Sequence, residues 1–192
     1  MKQFTQSVRI FLVLTLLTGI LYPLAVAGIV RLAFPYQASG SMIRSGGTVT
    51  GSALIGQQFT DHKYFRSRPS AVDYNPLPSG GSNLAAISMQ LKNFVSAREK
   101  DFRRVYNIGT GIPVPQDMLF FSASGLDPDI SPEAARLQLD EIARERRLDP
   151  AHKAALDSLV ERSIESPQFG FLGQRRDNVL KLNLALDSLT KR

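Results

Sequence analysis

Between Arg9 and Arg31 the chain runs for twenty-one residues, Ile10 to Val30, without a charge. At 1.5 Å per helical residue that run is roughly 31 Å long, enough to cross a hydrocarbon core of about 30 Å. Pro23 lies inside it and predicts a kinked or loosened turn, because proline has no N–H to donate. Tyr22, Phe34 and Tyr36 suit a membrane interface. Thr15 and Gly19, four residues apart, form a small-residue stripe against which a partner membrane helix can pack closely.

Lys2 and Arg9 also make a basic n-region, and Ala25-Val26-Ala27 has the form of a signal-peptidase site, so by motif alone the segment reads as a signal peptide. Against cleavage, the apolar run exceeds an h-region of about 7–15 residues and continues through Gly28, Ile29 and Val30. This favours an uncleaved anchor. The amino terminus, Lys2 and Arg9 stand against Arg31 and Arg44 on the other side. The positive-inside reading therefore puts residues 1–9 in the cytoplasm, 10–34 in the membrane, 35–47 in a linker and 48–192 in an exported domain. Both readings export most of the chain.

At 43% hydrophobic and 21% charged residues, the remainder has ordinary globular composition and suits one domain. The absence of cysteine excludes a disulfide framework, a thiolate metal site and a cysteine nucleophile. Of the 23 Lys plus Arg set against 17 Asp plus Glu, three (Lys2, Arg9, Arg31) precede Pro35. The others alternate with acids, as in Arg98-Glu99-Lys100-Asp101 and Arg144-Glu145-Arg146-Arg147, the pattern of solvated helix faces. No basic patch for nucleic acid emerges.

Thr48 to Phe59 is expected to give one or two short strands broken at Gly51 and Gly56. A loop follows through Arg68-Pro69-Ser70, Tyr74-Asn75-Pro76-Leu77-Pro78 and Ser79-Gly80-Gly81-Ser82-Asn83. Leu84 to Val105 has helical apolar spacing, with Ser82 or Asn83 as N-cap. Met118 to Phe121 reads as a buried strand. Ser131-Pro132-Glu133 starts a helix to about Arg147, and Asp149-Pro150 one to about Ile164, each by a capping side chain followed by proline in the first turn. Asn178 to Leu189 fits helix or strand, and its leucine content favours helix. The fold class is α+β: one N-terminal transmembrane helix, then a single mixed, helix-rich domain with a small sheet.

Chemistry-bearing groups are few. Ser79-Gly80-Gly81-Ser82-Asn83 supplies backbone amides that can hold an anion but lacks a Walker lysine, so a structural or docking turn is the simpler reading. Asp127-Pro128-Asp129 brings two carboxylates close, as a cation site or acid/base pair requires, yet Asp-Pro is also common turn chemistry. His62 follows Asp61 without a nucleophile elbow, and the other histidine, His152, is far along the chain. An anchored or secreted hydrolase using Asp127 and Asp129, or His62, stands as the alternative. Arg66 and Arg68 can clamp a carboxylate or phosphate or pair with acids in a partner. One helix cannot enclose a pore, so any transport role needs other subunits.

Taken together, several segments resemble the C subunit family of the bacterial potassium-transporting P-type ATPase, the Kdp system. They are Gly51-Ser52-Ala53-Leu54-Ile55-Gly56-Gln57, Phe65 with Arg68-Pro69-Ser70-Ala71, Tyr74-Asn75-Pro76, and Ser79-Gly80-Gly81-Ser82-Asn83-Leu84. Further on come Pro113-Val114-Pro115 with Asp117, Ser124-Gly125-Leu126-Asp127-Pro128 with Ile130-Ser131-Pro132, and Asn178-Val179-Leu180 with Leu182-Asn183-Leu184-Ala185-Leu186-Asp187. In order, behind one membrane segment, they cover nearly the whole chain. The chain departs from the family pattern at Ala85-Ala86, where Gly-Pro is usual, and at Asp129, where histidine is common. Leu148-Asp149-Pro150-Ala151-His152 lacks the glutamine of a stretch likened to an ATP-binding signature.

The resemblance implies an uncleaved, single-pass inner-membrane subunit with a cytoplasmic N-terminus and a periplasmic domain. It implies assembly with a channel-like potassium-binding subunit, an ATP-hydrolysing P-type subunit and a small membrane peptide, beside membrane lipid and without nucleic acid. The subunit would not be catalytic. It would stabilise the complex and act as a catalytic chaperone promoting ATP binding by the hydrolysing subunit, with ATP and potassium entering through the complex and no cofactor assigned to this chain. The residues expected to dock partners are Arg68, Pro69, Ser70, Asn75, Ser79, Gly80, Gly81, Ser82, Asn83, Ser124, Gly125, Asp127 and Pro128, with Thr15 and Gly19 packing the membrane helix.

Overall fold

The computed structural model describes residues 1–190. The chain divides into two compact units, Met1–Met42 and the residues from Ile43 onward. The first unit is built on a continuous helix, Lys2–Ala33, of 32 residues. It comprises α1 (Lys2–Leu16), one π turn (Leu17–Leu21) and α2 (Tyr22–Ala33). The helix thus begins well before Ile10, its first turns carrying Lys2 and Arg9. The loosened turn expected from Pro23 takes the form of this π turn, in which the Tyr22 N–H reaches back to Leu17 O. No side chain of α1 or α2 is buried, so apolar groups face outward all round, as lipid contact requires. A methyl on Gly19 would stand 4.0 Å from Thr15 Cγ2, so the two share one face. After a short turn of helix, α3 (Pro35–Ala38), the Tyr36 hydroxyl donates to Ser41 O at 3.0 Å.

The second unit opens with a hairpin of β1 (Met42–Ser45) and β2 (Thr48–Ser52), joined at Gly46-Gly47, where both φ angles are positive. A two-residue hairpin turn demands that backbone, and glycine adopts it freely. Ordered structure therefore enters the 35–47 stretch expected as linker, and Gly51 lies inside β2 instead of breaking it. Helices α4 (Met89–Val105), α5 (Gln116–Leu119), α6 (Pro132–Glu145), α7 (Pro150–Ser163) and α8 (Val179–Thr190) follow. A second two-stranded antiparallel sheet pairs β3 (Asp129–Ile130) with β4 (Asp177–Asn178), Asp129 opposite Asn178. Two small sheets thus stand where one was expected.

Ser131 and Asp149 cap α6 and α7 as their sequences predict, accepting from Ala134 N and His152 N. The C-terminal run is helical. Two expectations fail. α4 starts at Met89 with Ser88 as its cap, because Asn83 is held at φ 51°, a left-handed backbone, whereas an N-cap is extended. Gln116–Leu119 is a short helix, not a strand. Met118 N bonds back to Pro115 O, and the Asp117 carboxylate is taken by Ser131, accepting from its N–H at 2.6 Å and from its hydroxyl at 3.1 Å.

The core gathers Phe65, Phe102, Ile130, Ile142, Leu156, Val160, Leu182 and Leu186, contributed by α4, β3, α6, α7, α8 and one non-helical segment. Phe65 itself is fully buried and its segment has no sheet to join, so its backbone needs other partners. Asn183 of α8 supplies them in both directions. Its Oδ1 accepts from Phe65 N at 2.8 Å and its Nδ2 donates to Phe65 O at 3.0 Å. One residue on, Arg66 N donates to Gln138 Oε1 at 2.7 Å, an oxygen that also accepts from the Tyr106 hydroxyl. Burial raises the Tyr106 phenol to about 12, keeping it a donor at any physiological pH.

Replacing Asn183 by Ala strips two buried backbone groups of their partners. Urea unfolding of the full chain in detergent should show a loss of about 2–4 kcal/mol, roughly the penalty for two orphaned buried groups.

Candidate functional site

The expected docking residues lie mostly in loops, and the structure knots several of those loops together around 122–128. Gly56 N donates to Leu126 O at 2.7 Å, Gly80 N to Ser124 O at 2.9 Å and Ser122 N to Pro69 O at 3.1 Å. Side chains are excluded at the crossings. Any Cβ on Gly56 would collide with Asp127 O. Gly125, at φ +71°, would bring a Cβ to 2.9 Å from Gly80 O and 3.1 Å from Ser70 Oγ. These glycines are glycines because backbone passes against backbone.

Arg68 Nη1 donates to Asp127 Oδ2 at 2.6 Å, with both side chains roughly one-quarter exposed. The other Asp127 oxygen accepts from Asp129 N, the local turn bond expected of Asp-Pro chemistry. Tyr74 OH closes the loop by donating to Arg68 O at 2.5 Å, and Ser70 Oγ accepts from Val72 N and Tyr74 N. Asn75 Oδ1 accepts from Leu77 N on an exposed turn. Ser79 and Asn83 are exposed, while Ser82 is half-buried. A methyl on Gly81 would meet Ala123 O at 3.0 Å. Arg68, Pro69, Ser70, Ser79, Gly80, Gly81, Ser124, Gly125, Asp127 and Pro128 are thus brought together, whereas Asn75 serves a separate turn.

Around the knot lies an open groove of about 730 Å³ lined by Leu54, Ile55, Arg68, Phe121, Leu126 and Pro128, among others. Leu54 is 62% exposed. A larger cleft of about 1070 Å³ opens on the other side of Arg68 and Asp127, beside Pro113-Val114-Pro115 and Arg136. Three of its four arginines are held by carboxylates: Arg68 by Asp127, Arg136 by Glu161, and Arg176 by Asp129 and Glu165. That pairing suits a protein surface better than an anion site.

The candidate catalytic groups have structural employment. Asp129 bonds Arg176 at 3.0 Å and Asn178 Nδ2 at 3.1 Å, and burial raises its pKa. His62 Nδ1 lies 3.8 Å from Glu141, a carboxylate already held by Arg144. The structure brings His62 against α6 and the two aspartates against Arg68 and Arg176. Among the described residues no cluster of three metal-ligating side chains occurs.

A carboxylate that sequence reasoning passes over sits beneath this surface. Asp177 of β4 is 1% exposed and its Oδ2 has no hydrogen-bond partner. Burial, and then the charges of Asp129 and Glu165, push its pKa up to about 7, against the backbone N–H of Asn178 and the cation of Lys181. No local signal marks it, since its burial comes from the tertiary packing of β4 against β3, α7 and α8.

The sequence profile of the family described as "KdpC: K+-transporting ATPase, c chain" matches residues 4–188. Among curated proteins, the "Potassium-transporting ATPase KdpC subunit" of Photorhabdus laumondii is 48% identical over 189 residues, covering 97% of this chain and 96% of that one. The protein of the same name from Polaromonas naphthalenivorans is 50% identical over 183 residues, 94% and 91% of the two chains. That of Erwinia tasmaniensis is 45% identical over the full length of both.

Asp177 makes stability depend on pH with a defined sign. In the unfolded chain its pKa is about 3.9, so between pH 4 and 7 the folded state holds the extra proton. Its stabilising effect is complete below about pH 4 and is lost as pH rises through 7. Asp177→Asn should flatten that fall and make the full chain more stable than the parent at pH 8, by on the order of 2–4 kcal/mol in urea titrations at pH 5 and 8.

Proposed function

The chain belongs to the KdpC family, the c chains of K+-transporting ATPases, and from that premise we propose that it docks through its interlocked loops onto the other subunits and stabilises the assembled, active pump. Within that family it is an accessory subunit, not a catalytic one. The observation that carries the docking role is the knot around 122–128. Four sequence-distant loops are locked together beside the exposed Leu54 and Ile55, on a surface whose charges are already paired. A rigid, largely self-satisfied surface with protruding apolar groups suits protein contact.

The partners of this reading are a channel-like potassium-binding subunit, an ATP-hydrolysing P-type subunit and a small membrane peptide, with Thr15 and Gly19 offering the close-packing face of the anchor. In the proposed topology residues 1–9 are cytoplasmic, the helix crosses the inner membrane once and the domain is periplasmic. ATP is then across the membrane from the domain. Its binding by the hydrolysing subunit is promoted through the assembly: a subunit that binds the nucleotide-competent state more tightly than the alternative shifts the population toward it.

Two measurements test this. Leu54 is exposed, so Leu54→Glu should leave the stability of the chain within about 0.5 kcal/mol of the parent while lowering recovery of the co-purified complex several-fold. Unchanged recovery removes the groove from the docking surface. The lack of native cysteine allows Ser158→Cys, on exposed α7, to be the one thiol of the chain. A membrane-impermeant maleimide should label it on intact spheroplasts, and labelling only after lysis would reverse the topology.

A further inference from the structure

Residues 166–174 form the longest uncharged stretch of the 161–192 region, reading Ser-Pro-Gln-Phe-Gly-Phe-Leu-Gly-Gln. They fold as a tight hairpin that projects its apolar side chains outward. Phe169 is 81% exposed, Phe171 76% and Leu172 49%. The backbone is closed on itself: Gln168 and Leu172 exchange hydrogen bonds of 2.9 Å in both directions, Gly170 N donates to Pro167 O and Phe171 N to Gln168 O. Three large apolar groups within four residues are left largely uncovered among the described residues.

We propose that this hairpin is a membrane-interface finger, inserting Phe169, Phe171 and Leu172 at the headgroup–acyl boundary of the bilayer that the N-terminal helix crosses. The proposal rests on the membrane-anchored reading given above. Several observations favour lipid as the occupant. A segment entering an apolar phase needs partners for its backbone groups, and this one bonds the N–H groups of Gln168, Gly170, Phe171 and Leu172 within itself. It carries no charge, and its polar side chains are Ser166, Gln168 and Gln174. Phenylalanine and leucine beside arginine is the composition of interfacial anchors, and exposed Arg175 follows directly for anionic headgroups.

The finger adds a second, reversible hold on the membrane and restrains how the domain turns about its tether. The chain contains no tryptophan, so single reporters can be read in the intact protein. Full-length Phe171→Trp, Leu17→Trp and Ser158→Trp variants would each be reconstituted into vesicles of phosphatidylethanolamine and phosphatidylglycerol, with and without brominated acyl chains. The finger predicts blue-shifted emission and strong bromine quenching at Phe171→Trp and at Leu17→Trp, and neither at Ser158→Trp. Quenching at Leu17→Trp alone overturns the finger while leaving the membrane span intact. No quenching at Leu17→Trp overturns the membrane reading and the finger with it. A Phe171→Trp blue shift that needs the assembled complex and resists bromine assigns the hairpin to a protein partner and also overturns the proposal. Phe169→Trp repeats the measurement from the neighbouring tip position should Phe171→Trp misfold.

Discussion

The second and larger unit of the molecule hangs on a pair of buried amide side chains. Residues 65–66 run through the core without a strand beside them, and Asn183 and Gln138 stand in for the missing sheet. A carboxamide donates and accepts at once, so it can satisfy a whole peptide unit; aspartate, glutamate or an aliphatic residue would leave at least one buried group bare. With Phe65 fixed, Tyr64 reaches Asp187 and Arg146 bridges Lys63 O, Asp187 and Thr190, so α6 and α8 are stitched to the same strip of chain. The loops that leave that strip, including Arg68 to Ser70, inherit their position from it.

That inheritance explains how a surface without regular secondary structure can be specific. The 122–128 loop accepts or donates backbone hydrogen bonds to three other loops, and Arg68 adds a charged link across it. Each contact is modest, but they share members, and losing one loosens the rest. Asn178 extends the same network. Its side chain bonds Ala53 O and Asp129 and accepts from Lys181 N, so one residue ties the approach to the groove, the second sheet and the start of α8.

Where a signal was local, the sequence could be read directly. Ser131 with Pro132, and Asp149 with Pro150, announce helix starts because cap and proline act within one turn. The long apolar helix was legible from its length alone, and a loosened turn from Pro23, though not that it would be a π turn at Leu17–Leu21. Where the signal was tertiary it misled. Leu84 and Ile87 continue a helical phase that the backbone abandons, and Ile87 ends up 97% exposed. Met118 and Leu119 are apolar enough for a strand, but at four residues only the Asp117–Ser131 bond decides the geometry. Arg68 reads as free to clamp a ligand until Asp127, 59 residues away, is folded against it. The family motifs point to loops that the structure ties together, while the reasons for their residues, glycine where backbones cross and asparagine where a peptide needs a partner, are visible only in three dimensions.

The clamp between Phe65 and Asn183 joins positions 118 residues apart. No contact between sequence neighbours can stand in for it, so its formation is a long-range step that carries the entropic cost of closing a large loop. The strip at 65–66 is fastened only when α8 packs against it. The loops that leave that strip are therefore set by one of the most sequence-distant contacts in the fold, and their geometry is a readout of whether the whole core has closed.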